Sequence, residues 1–131
     1  MMNPLYPAAV TCLALLLYAA TVINCGRKRA KHQIAAPAIA GHMEFEKAYR
    51  VQMNTLEGMV LFLPSMWLFA WSVSANWAAG IGLIWVLGRI LYALAYYRDP
   101  AKRPPGMLLT FAAQIVLFIG ACIGVGGMLV A

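Results

Sequence analysis

The sequence predicts an all-α membrane protein, a four-transmembrane-helix bundle that forms one domain over residues 1–131. Of the 131 residues, 63% are hydrophobic and only 11% are charged, whereas a soluble domain carries about a quarter charged residues. A helix needs about 20 apolar residues to cross a bilayer, and four stretches of the chain are long enough. The predicted spans are residues 5–24, 43–74, 77–97 and 106–130.

The net charge of +6 comes from basic residues that cluster between the predicted spans. One cluster runs from Arg27 to Lys31, and another from Arg98 to Arg103. Basic clusters beside apolar spans are typical of cytoplasmic loops, so this distribution excludes a nucleic-acid-binding function. We predict that the loops 26–43 and 98–105 are cytoplasmic and that both termini lie on the other side of the membrane.

The cysteines predict neither a disulfide nor a metal site. Cys12 and Cys122 fall inside apolar spans and Cys25 lies at the end of one, with no C-x-x-C pair and no histidine at ligand spacing. We therefore expect no metal cofactor.

Polar side chains follow one face of the second predicted span. Arg50, Asn54 and Glu57 occur at i, i+4 and i+7, so at about 100° per residue they project from the same side of a helix. Each charge near a bilayer centre costs roughly 2.5–3.5 kcal/mol, and such residues face a partner, a cavity or a ligand. The spacing alone is equally consistent with contacts between helices and with a ligand site.

The third predicted span carries a second polar stripe formed by Arg89, Tyr92 and Tyr96. Arg89 needs a counter-charge, and Glu57 is the only acid predicted to lie within the membrane, because the first three turns of the second span should stand in the cytosol or the interface. We therefore predict a structural contact between these two side chains. The tyrosines have a simpler interpretation as aromatic residues at the membrane interface.

Short sequence patterns predict the start of a turn before the fourth span and a close packing contact along that span. Asp99 followed by Pro100 predicts an N-cap and a first helical residue. Gly120 and Gly124 form a small-x-x-x-small pair, which lets another backbone approach closely. That pair fits packing within the chain and packing between subunits equally well.

Two motifs carry a resemblance to a known family. The pattern F-E-x-x-Y-R-x-Q-x-N-x-x-E occupies residues 45–57 and is followed by F-L-P at 62–64, and in the third-helix region Tyr92 and Tyr96 are followed by Arg103. Over essentially the whole chain, the sequence resembles the MAPEG superfamily, the membrane-associated proteins in eicosanoid and glutathione metabolism, and within it the bacterial-type microsomal glutathione transferases. One departure is Gly58, because the leukotriene-forming branch has a tyrosine after the glutamate of the motif.

The resemblance implies a homotrimer of four-helix subunits that binds glutathione between neighbouring subunits near the cytoplasmic face. It implies that Arg103 lies at the sulfur of glutathione as the catalytic residue. An arginine of the first loop, Arg27 or Arg29, would meet a glutathione carboxylate or close the site. The remaining implied glutathione-binding residues are Arg50, Gln52, Asn54, Glu57, Tyr92 and Tyr96.

The chemistry of glutathione agrees with this set of side chains. Its two carboxylates and its amine need fixed cations and an acid, and a guanidinium beside its thiol favours the thiolate. The predicted function is a membrane-bound glutathione transferase or peroxidase that acts on hydrophobic electrophiles or lipid hydroperoxides arriving from the bilayer. The alternatives are a non-catalytic lipid-binding or scaffolding trimer and a small multidrug exporter, although a cation exporter would carry an acid in its first span.

Overall fold

The computed structural model describes residues 2–131 and folds them into four α-helices joined by short connections. The all-α class and the four predicted helices are confirmed, with bounds that differ by several residues. The helices are α1 (Leu5–Lys31), α2 (Met43–Ser72), α3 (Ala75–Arg98) and α4 (Pro104–Val130), and a 3-10 turn (Pro100–Lys102) precedes α4. Asp99 caps that turn as predicted, since its Oδ1 accepts a hydrogen bond from the Ala101 amide at 3.0 Å.

The first helix is longer than its predicted span. The span was expected to end at residue 24 and the basic cluster to lie in a loop, but α1 continues to Lys31. Lysine, arginine and alanine are good helix formers, and cations near a helix C-terminus interact favourably with the macrodipole. The basic cluster therefore lies on the last turns of α1, and the connection to α2 is only residues 32–42.

Three of the helices, α1, α3 and α4, are long and apolar enough to cross a membrane. Their outer faces carry large exposed side chains such as Leu16, Leu91 and Leu129, as expected of surfaces that contact lipid. The mean hydropathy of α2 is lowered by the acids and bases of its first half, including Glu46, Arg50 and Glu57. That α2 is a fourth span stays a prediction.

The core lies where α2 and α3 meet, because each of these helices contacts all three others. The rings of Phe62 on α2 and Trp85 on α3 stack with centroids 4.1 Å apart, and both side chains are fully buried. Trp67 of α2 donates a hydrogen bond to the hydroxyl of Thr11 on α1 at 3.0 Å. These contacts fix α2 at the centre of the bundle.

The glycines of α4 serve packing within the chain. A Cβ added at Gly120 would collide with the ring of Phe69, and one added at Gly124 would collide with the hydroxyl of Ser72. Both partners are on α2, so the small-x-x-x-small pair lets α4 approach α2. Of the two interpretations left open by the sequence, the structure shows the internal one.

The backbones of α3 and α4 lie in close contact at Gly106. A Cβ there would lie 2.9 Å from the carbonyl oxygen of Gly88 and closer still to the backbone nitrogen of Tyr92. We predict that Gly106→Ala lowers the free energy of unfolding by about 1–3 kcal/mol, because the two backbones must separate. The matched control is Gly80→Ala, where an added Cβ meets no atom within 4 Å. Thermal unfolding in detergent measures both, and equal stability of the two variants would contradict the prediction.

A cluster of charges joins the end of α1 to the start of α2. The Glu44 carboxylate lies 2.9 Å from Lys28 Nζ, 3.2 Å from Lys31 Nζ and 3.5 Å from His32 Nε2. Hydrogen bonds from Lys28, then Lys31 and His32, lower the pKa of Glu44 from 4.5 to about 2. This cluster holds the basic end of α1 against the first turn of α2.

The lowered pKa of Glu44 predicts a pH-dependent stabilisation. A depressed carboxylate pKa contributes stability that is present above the unfolded value and is lost as the pH falls through the folded one. We expect wild type to exceed Glu44→Gln slightly in melting temperature at neutral pH, since exposed ion pairs contribute little. The difference should fade between pH 4.5 and about 2. Paired thermal melts across this range measure it, and a constant difference would argue against the cluster.

Candidate functional site

Several predicted site residues meet in a cavity of about 230 Å³ between α2, α3 and α4, called the inner cavity below. Asn54, Glu57 and Tyr92 line it, so the structure brings together three side chains that two separate helices contribute. The complete lining is Asn54, Glu57, Gly58, Leu61, Arg89, Tyr92, Met107, Phe111 and Gln114.

A short hydrogen bond joins the polar faces of α2 and α3. The Asn54 amide nitrogen donates to the Tyr92 hydroxyl at 2.5 Å, and the Tyr92 ring is completely buried. A residue of an interfacial aromatic belt would be partly exposed, so that interpretation is wrong for Tyr92. The ring of Tyr96 lies 5.6 Å from the ring of Tyr92, measured between centroids.

The predicted ion pair between Glu57 and Arg89 is wrong. Both side chains line the inner cavity, but among residues 2–131 Glu44 is the one carboxylate with a cation within 4 Å. Glu57 lies on the exposed side of α2, whereas Arg89 is buried. The guanidinium carbon of Arg89 instead lies 4.7 Å from the centroid of the Tyr92 ring and 5.6 Å from that of Trp85, distances at which aromatic faces attract a cation.

Sequence reasoning gave no role in the inner cavity to Gly58 and Gln114, which line it, or to Trp85, which holds Gln114. The Trp85 indole donates a hydrogen bond to the side-chain carbonyl of Gln114 at 2.6 Å, and both residues are buried. A Cβ added at Gly58 would lie 3.0 Å from a terminal nitrogen of Arg89 and 3.1 Å from the Gln114 side-chain oxygen. The lone amide in the apolar fourth span was the available signal for Gln114, because a buried amide needs partners.

A second cavity of about 260 Å³, called the outer cavity below, lies between the start of α2 and the end of α3. Arg50 and Tyr96 line it, together with Glu46, Lys47 and Pro100. Arg103 lies at its edge, since one terminal nitrogen of this exposed side chain donates to the Pro100 carbonyl at 3.5 Å. The catalytic candidate Arg103 therefore contacts one lining residue, Pro100, but is not itself among the residues that line the outer cavity.

The three remaining candidates are not among the residues that line either cavity. Arg29 donates to the carbonyls of Ala38 at 2.8 Å and Ile34 at 3.3 Å, and its guanidinium covers the Phe45 ring at 4.5 Å. Arg29 thus folds the connection back onto α1 and α2, while Arg27 is exposed. Gln52 is half-buried on α2 and is not among the residues that line either cavity.

Comparison with known proteins decides the family, because the MAPEG family profile matches residues 5–123. The chain belongs to the MAPEG family. The resemblance expected from the two motifs is thereby confirmed, and three apolar helices together with this membership support an integral membrane protein.

Curated relatives of this MAPEG protein cover most of its length. An uncharacterized protein of Synechocystis sp. is 46% identical over 121 residues, which are 92% of this chain and 88% of that protein. Microsomal glutathione S-transferase 2 of Mus musculus is 34% identical over 90% of this chain and 80% of its own. Leukotriene C4 synthase of Cavia porcellus is 32% identical over 89% of this chain and 78% of its own.

The hydrogen bond between Trp85 and Gln114 predicts a coupling that a double-mutant cycle measures. Gln114→Leu leaves the buried indole N–H without an acceptor, and this should cost about 1–3 kcal/mol of unfolding free energy. In the double variant with Trp85→Phe, no donor is left unsatisfied. The double loss should therefore be smaller than the sum of the single losses, and additive losses would contradict the proposed partnership.

Proposed function

We propose that this protein is a membrane-bound glutathione transferase that ionises the glutathione thiol and uses it to detoxify hydrophobic electrophiles or to reduce lipid hydroperoxides. Its similarity to proteins named microsomal glutathione S-transferase 2 and leukotriene C4 synthase supports a glutathione-related activity. The observation that carries the proposal is that two cavities in the same α2–α3 region collect most of the expected side chains. These are Asn54, Glu57 and Tyr92 in the inner cavity, and Arg50, Tyr96 and the neighbouring Arg103 at the outer one.

The charges along α2 complement the charged groups of glutathione. Arg50 offers a guanidinium to one carboxylate, in the bidentate geometry that arginine favours, and Glu57 offers a carboxylate to the ammonium group. Asn54 adds an amide between them on the same helix face. Arg50 and Glu57 are both exposed, so a ligand can reach them.

Arg103 is the residue proposed to activate the thiol. An ordinary thiol of the cysteine type has a pKa of about 8.5, and a fixed cation beside it stabilises the thiolate and lowers that pKa. Arg103 makes one weak contact to the Pro100 carbonyl, which leaves guanidinium N–H groups for the sulfur. The thiolate would then form a C–S bond to an electrophilic carbon, either displacing a leaving group or adding to an epoxide or activated double bond whose freed anion takes up a proton. With a hydroperoxide it would attack an oxygen and break the O–O bond, giving an alcohol after protonation and glutathione sulfenic acid, which a second glutathione would convert to the disulfide with release of water.

The two tyrosines are proposed to position the tripeptide between the cavities. Tyr92 is held by Asn54 and lies against Tyr96, so their hydroxyls are fixed relative to α2. A substrate dissolved in the bilayer would reach the thiolate from the side of the bundle, since large apolar side chains cover its outer surface.

We further propose that the protein is a homotrimer with glutathione between neighbouring subunits. In a single chain, Arg50 and Glu57 are exposed on a helix whose second half is apolar, and a neighbouring subunit would shield them from lipid. Of the two arginines at the end of α1, Arg27 is the better candidate for a glutathione carboxylate, because Arg29 is bound to the connection between α1 and α2. The end of the helix bundle that carries both basic clusters would face the cytoplasm.

The test is the ultraviolet absorbance of the thiolate when glutathione is titrated into the purified protein at pH 7. Only about 3% of an unperturbed thiol is ionised at that pH, so activation gives a large signal. We expect wild type to show it and Arg103→Ala to lose most of it. The control is Lys102→Ala, which removes an exposed cation from the neighbouring position.

Three results would contradict this proposal. One is the absence of thiolate formation in wild type, which would favour a non-catalytic lipid-binding or scaffolding protein. Another is an undiminished signal in Arg103→Ala, and the third is an equal loss in Lys102→Ala, since the effect would then follow net charge. Circular dichroism checks that each variant is folded.

A further inference from the structure

A third pocket, of about 330 Å³, lies where the ends of α1 and α3 meet the start of α2, and it is called the α1–α2–α3 pocket below. Its lining is Asn24 and Lys28 of α1, Glu44 and Lys47 of α2, and Tyr97 of α3. Within the described chain, none of the proposed glutathione-binding side chains lines this pocket. It shares only Lys47 with the outer cavity and no residue with the inner cavity.

The charges of the α1–α2–α3 pocket favour an anion. Lys28 and Lys47 are half-buried, so their ammonium groups are partly shielded from water. Glu44 is the one acid in the lining, and it is already paired with Lys28, Lys31 and His32. With Lys31 included, three lysines face one carboxylate, which leaves two positive charges in excess when His32 is neutral.

Hydrogen-bond donors of the pocket remain available to a ligand. The Lys47 ammonium makes one weak contact, to the Arg98 carbonyl at 3.5 Å, and the Lys28 ammonium donates to Glu44 at 2.9 Å. Because an ammonium group has three N–H donors, each lysine keeps donors for a ligand. The Asn24 amide and the Tyr97 hydroxyl line the same space. A phosphate group, with several acceptor oxygens and a negative charge, matches this set of donors.

The pocket lies at the depth of a phospholipid headgroup. The apolar part of α1 ends at Asn24, and Tyr97 is in the last turn of α3. Below the pocket, Leu13 on α1 and Leu83 and Ile90 on α3 are exposed. Leu13 shares a helix face with Asn24, and Leu83 and Ile90 share one with Tyr97, because their spacings are close to whole numbers of turns. A head in the pocket would thus continue into hydrocarbon along α1 and α3.

This side of the bundle differs from the side that the proposed assembly covers. Both α1 and α4 contact α2 and α3 but make no substantial contact with each other, so they lie on opposite sides of the α2–α3 pair. Glu57 lines the inner cavity between α2, α3 and α4. A neighbouring subunit that covers Glu57 therefore does not have to cover the α1–α3 surface.

We propose that the α1–α2–α3 pocket binds the phosphate of an anionic phospholipid of the phosphatidylglycerol class, whose acyl chains lie along α1 and α3. Lys28 and Lys47 pair with the single negative charge of the phosphodiester. A zwitterionic head would bring an ammonium group to a pocket that has positive charge in excess, whereas a glycerol head is uncharged and its hydroxyls can donate to Glu44. This site uses neither glutathione nor Arg103, so it goes beyond the proposed enzymatic activity.

Native mass spectrometry of the full chain without glutathione tests this site. The protein in detergent is titrated with phosphatidylglycerol and phosphatidylethanolamine of identical acyl chains, and the retained lipid is measured. A lysine beside an anionic head contributes roughly fivefold in affinity. We expect wild type to prefer phosphatidylglycerol and Lys47→Gln to lose about fivefold of that preference. Lys102→Gln, which removes an exposed cation from the other basic cluster, should keep it.

A tyrosine pair keeps the test decisive if Lys47→Gln does not fold. Tyr97→Phe removes the hydroxyl but keeps the ring that packs against Cys25 and Phe45, and it should weaken phosphatidylglycerol binding severalfold because a hydrogen bond to a charged group is lost. Tyr18→Phe, at another half-buried tyrosine, should not weaken it.

Inorganic phosphate distinguishes a lipid site from a site for free phosphate. Displacement of the lipid by an equal concentration of inorganic phosphate would show that the hydrocarbon adds nothing, and would overturn the lipid site. Equal retention of the two lipids by wild type would also overturn it. So would an equal loss in Lys102→Gln, since diffuse surface charge would then suffice, or equal binding by the two tyrosine variants. Selective retention by a protein that does not ionise glutathione would reject the enzyme and leave this site standing.

Discussion

The structure depends on how one guanidinium is held inside an apolar bundle. Within residues 2–131, Arg89 has no carboxylate within 4 Å, and its guanidinium lies against the Tyr92 and Trp85 rings instead. Each ring is then fixed by a polar partner on another helix, Tyr92 by Asn54 on α2 and Trp85 by Gln114 on α4. Because a charge in a low-dielectric interior is expensive unless its surroundings are fixed, these three helices must pack in one relative arrangement.

In this arrangement, the polar side chains of the candidate site lie where α2 changes from a charged first half to an apolar second half. The first half of the helix carries the charged residues, while the second half is apolar and contributes Phe62, Met66 and Phe69 to the core. A single unbroken helix therefore passes from a charged surface to the centre of the bundle. The inner and outer cavities lie along this transition, so a water-soluble ligand and a lipid-soluble one could both reach α2.

Helical periodicity predicted positions well and partners less well. The spacing of Arg50, Asn54 and Glu57 placed all three beside cavities, because a shared helix face follows directly from 3.6 residues per turn. Glu57 was predicted as the partner of Arg89 because it carries the opposite charge. That reasoning overlooks aromatic rings, which are uncharged but attract cations through their faces. Gln114 had no assigned role for a similar reason. Its partner is the indole N–H of Trp85, and tryptophan was counted among the apolar residues.

Helix ends and packing faces needed the folded structure. The extension of α1 to Lys31 agrees with the local helix propensity of its residues, but the ion pairs that join this end to Glu44 link positions more than ten residues apart, so no local pattern shows them. Whether Gly124 faces the same chain or another one is decided by the position of Ser72. The small-x-x-x-small pair predicted that another backbone approaches α4 closely, but only the tertiary structure shows that this backbone is α2.

Arg50 and Glu57 are exposed in the single chain, and this exposure supports a site that is completed by a second subunit. Asn54 and Tyr92 satisfy each other within the chain, so they remain ordered without a ligand. Arg50 and Glu57 have no such partner among the described side chains, although both lie on the helix at the centre of the bundle. Contact with lipid would leave both charges unpaired at a cost of several kcal/mol, whereas a ligand of opposite charges enclosed by a second subunit would pair both. The proposed intersubunit glutathione site is thus the arrangement that satisfies the two charges that this fold leaves open.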